Sequence, residues 1–159
     1  IVLLGPNGVG KTMLAQNLAH HAVMHGFTAR FTTASAMLGD LAAQDGAALR
    51  RRLHRYVKPA LLVIDELGYV PLSQTGAELL FEVFSQRYER GSTIVTSNLP
   101  FDEWTGVFAS ERLTGALLDR LTHHVHILEM NGDSYRLKQS KRRQRGARAT
   151  TIPDSSPEE

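Results

Sequence analysis

An apolar run, Ile1 to Leu4, passes straight into the glycine-rich string GPNGVGKT at residues 5–12. A loop of this pattern between a buried strand and a helix constrains the fold to a strand–loop–helix unit of a parallel sheet. The glycines at 5, 8 and 10 let the backbone curl, so that successive N–H groups point inward. Gly5, Pro6, Asn7, Gly8, Val9, Gly10 and Lys11 are therefore a candidate cradle for phosphate oxygens, with Lys11 supplying a mobile positive charge. The Thr12 hydroxyl can ligate Mg²⁺, and the helix starting here turns its positive end toward the same anion. The alternative, an ordinary glycine-rich turn, gives no reason for the flanking strand and helix. A nucleoside triphosphate site is expected.

The second half of that site is LLVIDE at residues 61–66. Four apolar residues without alternation suit a strand buried on both faces of a parallel sheet. The carboxylates at its C-terminal end lie where open α/β sheets place their chemistry. Asp65 can hold the Mg²⁺ shell, and Glu66 can orient and polarise an attacking water. Nucleotide kinases also carry a Mg²⁺ aspartate, but the adjacent glutamate fits hydrolysis better than transfer to a second substrate. In the other reading, Glu66 merely caps the following turn.

The chain has 159 residues with 42% hydrophobic content, enough for one α/β domain with a sizeable core. It contains no cysteine, which excludes disulfides and thiolate zinc sites and is compatible with a reducing cytosol. A cytoplasmic protein without membrane attachment is expected, since no apolar run approaches the ~20 residues of a membrane span. The formal charge is only +2, but its distribution is uneven. Every charge from Arg136 to Arg148 is positive, whereas Asp154, Glu158 and Glu159 close the sequence. The sequence opens inside its first strand without an initiator Met. The expectation is a piece of a longer protein whose N-terminal portion is missing, which leaves targeting unjudged.

Strand and helix patterns alternate along the chain, as in a parallel sheet covered on both faces. After the strand Ile1–Leu4, a helix is expected from about Lys11 to His25, stopped by Gly26. A strand follows near Thr28–Thr33, then helices over about Ala36–Ala43 and Ala47–Tyr56. The strand Leu61–Asp65 leads to a helix over about Thr75–Glu89 and a strand Thr93–Thr96. Helical segments cover Asp102–Val107 and Ser110–Thr122, before a last strand near Val125–Leu128. From about Gln139 to Glu159 the composition is polar without apolar periodicity, which predicts a flexible tail, basic and then acidic.

Several residues admit two readings. Asn98, leaving the fourth strand, can both donate and accept, so it can report on a γ-phosphate. It can equally form a turn with Leu99 and Pro100. Arg120 lies near the edge of an apolar helix face made by Leu117, Leu118 and Leu121. It can reach a neighbouring subunit's phosphate, or pair locally with Asp119 or Glu111. Arg50, Arg51, Arg52 and Arg55, with Lys58, form either a solvated helix face or a patch that tracks DNA phosphates. Phe81, Phe84 and Tyr88 have core spacing. His123, His124 and His126 lack the carboxylate or cysteine partners of a metal site.

Five strings occur in order: GPNGVGKT at 5–12, IDELGY at 64–69, RYERGSTIVTSNLPF at 87–101, LDRL at 118–121 and SYRLK at 134–138. Together they resemble the IstB family of transposition helper ATPases, related to the helicase loader DnaC and the initiator DnaA within the AAA+ class. The resemblance covers residues 1 to about 138, and the string at 87–101 is its most specific part. It implies a P-loop α/β fold of AAA+ type, with a five-stranded parallel sheet and helices on both faces. It also implies ATP with Mg²⁺, self-association into ATP-dependent oligomers on duplex DNA, and a partner transposase. Asn98 becomes a first sensor, Arg120 an arginine finger acting in trans, and Arg136 a second sensor contacting phosphate in cis. Two departures are expected: the family's N-terminal domain is absent, and the helical lid after the last strand is short or missing.

The same core also suits a DnaC-type helicase loader, and a small-molecule P-loop kinase is the alternative of another class. Phosphate transfer to a small acceptor without stimulation by DNA would mark the kinase. Basic groups free of nucleotide, Arg50 to Arg52 with Arg55 or the tail residues Lys141, Arg142, Arg143, Arg145 and Arg148, remain to meet DNA.

Overall fold

The computed structural model describes residues 1–108, 110–122, 125–135 and 139. Strands β1 (Val2–Leu4), β2 (Ala29–Thr33), β3 (Leu61–Leu67), β4 (Ser92–Ser97) and β5 (Ile127–Glu129) form one sheet in the order β2-β3-β4-β1-β5. Every pairing is parallel, so the chain crosses between strands through helices. These are α1 (Lys11–Met24), α2 (Ala34–Ala42), α3 (Gly46–Val57), α4 (Gln74–Arg87), α5 (Trp104–Phe108) and α6 (Glu111–Thr122), with a 3₁₀ turn at Phe101–Glu103 before α5.

Alternation along the strands sorts the helices onto the two faces. Val2, Leu4, Leu62, Ile64 and Val95 point to one side, where residues of α2 to α6 such as Met37, Leu80, Trp104 and Leu117 cover them. Leu3, Leu61, Val63 and Ile94 point to the other, against Ala15 and Ala19 of α1. Each fully buried Leu or Ile here contributes about 1.5–3 kcal/mol. A one-residue slip of a strand would exchange the faces, so the pattern holds the register.

The expected elements are all present, with shifted ends. Helix α2 begins at Ala34 because the Thr33 side chain caps it, accepting from the Ala36 N–H. Ser73 caps α4 in the same way, through the Gly76 N–H. Helix α4 stops at Arg87 rather than near Glu89. Tyr88 turns extended and Glu89 takes a left-handed φ of 57°, while the Arg87 side chain folds beneath the sheet. Strand β3 runs past Asp65 to Leu67, through an irregularity in its pairing with β4.

Phe84 is buried and Phe81 packs against the same core, as their spacing predicts. Among the described residues no helix is long and apolar enough to cross a membrane. The tail residues 140–159, and the residues at 136–138 that would begin a lid, lie outside the described residues.

Candidate nucleotide site

The ends of β1, β3 and β4 converge on the loop of residues 5–12. Leu4 of β1 is in register with Ser97 of β4, and the Gly5 N–H donates to the Ser97 carbonyl at 3.2 Å. The loop is crossed from above by the segment after β5. The Met130 N–H donates to the Leu4 carbonyl at 2.7 Å and the Tyr135 N–H to the Gly8 carbonyl at 3.0 Å. A side chain at Gly5 would strike the Met130 carbonyl, and one at Gly8 would strike the Ser134 hydroxyl. These two glycines, with φ of 144° and 85°, are thus required by backbone conformation and by close approach together.

Lys11 opens α1 and is 9% exposed. Its ammonium donates to the Gly5 carbonyl at 2.5 Å and the Pro6 carbonyl at 2.8 Å, drawing the loop around itself. Burial pushes its pKa below the ordinary lysine value, and the nearby Asp65 carboxylate partly offsets this. The Thr12 hydroxyl donates to Asp65 Oδ1 at 3.1 Å. A hydroxyl and a carboxylate side by side are hard oxygen donors of the kind Mg²⁺ takes, so these residues fit that ion. Among the described residues no group of three or more His, Cys, Asp or Glu could hold a metal. His123 and His124 lie outside those residues.

At the end of β3 the ladder changes. Pairing with β4 is regular up to Ile64 opposite Val95, and resumes with Leu67 opposite Ser97. Asp65 and Glu66 therefore face a single residue, Thr96, which is the two-against-one count of a β-bulge. Simple alternation would send Glu66 into the core beside Leu62 and Ile64. The bulge turns it out to solvent and gives that core position to Leu67. Glu66 adopts φ of 60°, a left-handed conformation that costs a non-glycine residue roughly 1–2 kcal/mol. The buried Thr96 hydroxyl donates a short hydrogen bond to Asp65 Oδ1 and accepts the Glu66 N–H at 3.0 Å.

Asn98 follows β4 directly, half-buried beside the start of the loop. The Ser97 hydroxyl accepts the Leu99 N–H at 3.1 Å, so Asn98 also opens a turn. Both of its sequence readings are compatible with this place. Arg120 is elsewhere. It lines a cavity of about 800 Å³ with Ile1, Ala60, Gly91 and Thr93, residues that precede or begin β1, β3 and β4. That is the opposite end of the sheet from the loop. Its guanidinium donates to the Ala116 carbonyl at 3.1 Å and lies 4.4 Å from the centre of the Phe81 ring. The expected alternative pairing with Asp119 or Glu111 is not formed. Arg136 lies outside the described residues.

On α3, Arg50, Arg51 and Arg55 are exposed, and Arg51, Arg52 and Arg55 line a shallow pocket with Gln44 and Ala48. Arg52 is held by Asp40 at 3.1 Å, which also accepts from the Tyr56 hydroxyl at 2.7 Å. The cluster is therefore not one uniform array.

The model of the family described as IstB-like ATP binding protein matches residues 1–143. The chain belongs to that family. It is 41% identical over 143 residues to the insertion sequence IS5376 putative ATP-binding protein of Geobacillus stearothermophilus, covering 89% of this chain and 57% of the relative. The insertion sequence IS21 putative ATP-binding protein of Pseudomonas aeruginosa is 39% identical, with 89% and 54% covered. The chain thus spans about half the length of the curated relatives it matches. Among solved structures, the DnaC helicase loader superposes with a TM-score of 0.70 at 23% identity, covering 82% of this chain and 77% of the loader. AMPPCP-bound DnaA from Aquifex aeolicus gives 0.70 at 20% identity, covering 92% and 45%. The fold of this IstB-like chain is therefore the expected AAA+ P-loop arrangement.

Two parts of the arrangement were not foreseen from the sequence. One is Thr96, two residues before Asn98 in the same string, whose hydroxyl joins Asp65 to the Glu66 backbone. The other is the packing of residues 130–135 against the loop. The only signal for the latter was the SYRLK string, at a distance in sequence that hides its contact with Gly8.

Proposed function

We propose that this chain is the ATP-binding and ATP-hydrolysing unit of an insertion-sequence helper that oligomerises on duplex DNA and assists a transposase. One observation carries the hydrolytic part. Asp65, Thr12 and Lys11 converge under the glycine loop, while the adjacent Glu66 is turned out to solvent by the bulge.

In this reading the loop N–H groups and Lys11 bind the phosphates, and Lys11 exchanges its carbonyl partners for phosphate oxygens. Thr12 and Asp65 would hold Mg²⁺, and the ion would supply positive charge to neutralise the negative charge developing on the γ-phosphate. Glu66 orients and polarises the attacking water, and Asn98 lies at the strand end where it can contact both. Arg120 is at the far end of the sheet from its own loop, so any contact with a γ-phosphate is with a neighbour's. Arg136 is assigned to phosphate in cis by the family resemblance. The names of the relatives, insertion sequence ATP-binding proteins, support the transposase as partner. The DnaC-like fold supports the helicase-loader reading less, because a likeness at 23% identity concerns the fold.

The test is steady-state phosphate release from ATP with Mg²⁺, with and without duplex DNA. Glu66→Gln should keep ATP binding and lower turnover at least about 100-fold, because Glu66 acts only as water attacks. Arg120→Ala should bind ATP normally and lose turnover in assemblies. Mixing these two inactive variants should recover part of the activity, since some interfaces pair the intact halves. Normal turnover in Glu66→Gln removes the role given to that carboxylate. No recovery at any mixing ratio, with mixed assembly demonstrated, removes the finger in trans.

A further inference from the structure

We propose that Thr96 is a positioning residue of this site, its one hydroxyl holding the Asp65 carboxylate and the Glu66 backbone in a single arrangement. The proposal rests on the ATPase reading above. It starts from the bulge, where Asp65 and Glu66 of β3 stand against Thr96 alone. At that point the regular register with β4 is broken, and the hydroxyl of Thr96, a residue 1% exposed, accepts the Glu66 N–H at 3.0 Å.

The direction of the hydroxyl is dictated. The Glu66 N–H can only donate, so the Thr96 oxygen accepts from it and the single Thr96 proton points at Asp65 Oδ1. The carboxylate polarises the hydroxyl it accepts from and so strengthens the second bond. Thr12 donates to the same Oδ1. A continuous chain therefore runs from the Thr12 hydroxyl through Asp65 and Thr96 to the Glu66 backbone. It joins the metal-holding side of the site to the side that faces water. Glu66 keeps its left-handed turn, and its carboxylate keeps its outward aim, because this chain fixes its N–H. Residues that orient ligands in this indirect way alter metal affinity or activity by about 10- to 100-fold when changed.

Thr96→Val keeps the shape and removes the hydroxyl, and Thr96→Ser restores it. On the full chain, three readouts separate positioning from mere stability: thermal melting, the kcat and KM of ATP hydrolysis, and Mn²⁺ binding followed by EPR with a non-hydrolysable ATP analogue. Thr96→Val should lower kcat about 10- to 100-fold with KM within about threefold, and weaken Mn²⁺ about tenfold. Thr96→Ser should return both to within about threefold of wild type. Wild-type kcat and Mn²⁺ affinity in folded Thr96→Val, or a lowered melting temperature alone, overturns the proposal. Failure of Thr96→Ser to rescue overturns it too. If Thr96→Val does not fold, Thr96→Cys, with a weak donor and acceptor of similar size, carries the same comparison with Thr96→Ser. A wild-type protein that binds Mn²⁺ as described but turns over no ATP sinks the ATPase reading and leaves the Asp65 positioning to be decided by the Mn²⁺ arm.

Discussion

Lys11 and Arg87 are buried cations at opposite ends of one sheet, and neither donates to a carboxylate among the described residues. Arg87 donates to the carbonyls of Tyr56, Val57 and Pro59 at 3.1, 2.9 and 2.8 Å. It also reaches the Thr93 hydroxyl at 3.0 Å and the carbonyls of Ser92 and Ala60 at 2.5 and 3.5 Å. These partners end α3 and begin β3 and β4, so one side chain ties three elements together. Lys11 has two carbonyl partners, both on one glycine-rich loop. A guanidinium with all its donors engaged by separate elements is a staple, whereas an ammonium with three donors and two soft partners can exchange them. Burial lowers the pKa of both, so the shift does not tell them apart. The number of partners, and of the elements they come from, does.

The largest effect that tests this contrast is on stability. Arg87→Leu leaves buried carbonyls at the start of β3 and β4 without donors and should cost about 3–5 kcal/mol in urea unfolding. A loss below about 1 kcal/mol would show that water replaces the guanidinium and that it is no staple. Lys11→Ala should act on the other axis. It should weaken ATP binding by at least about 100-fold, since two charge-assisted hydrogen bonds are worth about 3–6 kcal/mol, while unfolding free energy changes by less than about 1 kcal/mol. Calorimetric titration with the nucleotide and a denaturation curve separate these, and a large stability loss would make Lys11 a second Arg87.

Gly91→Ala probes the staple more gently. A Cβ there would stand 2.8 Å from Arg87 Nη2 and 3.2 Å from Cζ, displacing the guanidinium at a cost of about 1–2 kcal/mol. In Arg87→Leu the same substitution should be nearly neutral, so a double-mutant cycle reads the coupling. An additive cycle would place the cost of Gly91→Ala elsewhere.

The smallest effect extends the contrast to the surface of α3. Arg52 has a fixed partner in Asp40, whereas Arg51 and Arg55 are exposed. Removing Arg51 and Arg55 together should lower duplex affinity and reduce the salt slope by about two, while Arg52→Ala leaves the slope nearly unchanged. Equal slopes for wild type and the Arg51/Arg55 double variant, read from anisotropy titrations across salt, would move the DNA surface off α3.

What the sequence determined by itself is local or periodic. The loop at 5–12 is legible because its glycines, Lys11 and Thr12 are neighbours in the chain, and no distant contact is needed to place them. The unbroken apolar run before Asp65 announces a strand buried on both faces, and helix spacing places α1, α4 and α6 to within a few residues. Tertiary structure decided the rest. Whether Glu66 points into the core or out of it depends on a bulge, which exists only in the pairing of β3 with β4. Thr96 meets Asp65, and Arg87 meets Tyr56, across separations of 31 residues in each case. Nothing in the spacing of the chain encodes those meetings. The reason is physical: a buried polar group takes whichever partner the packed strands bring within about 3 Å, and that neighbour is fixed only when the sheet has closed.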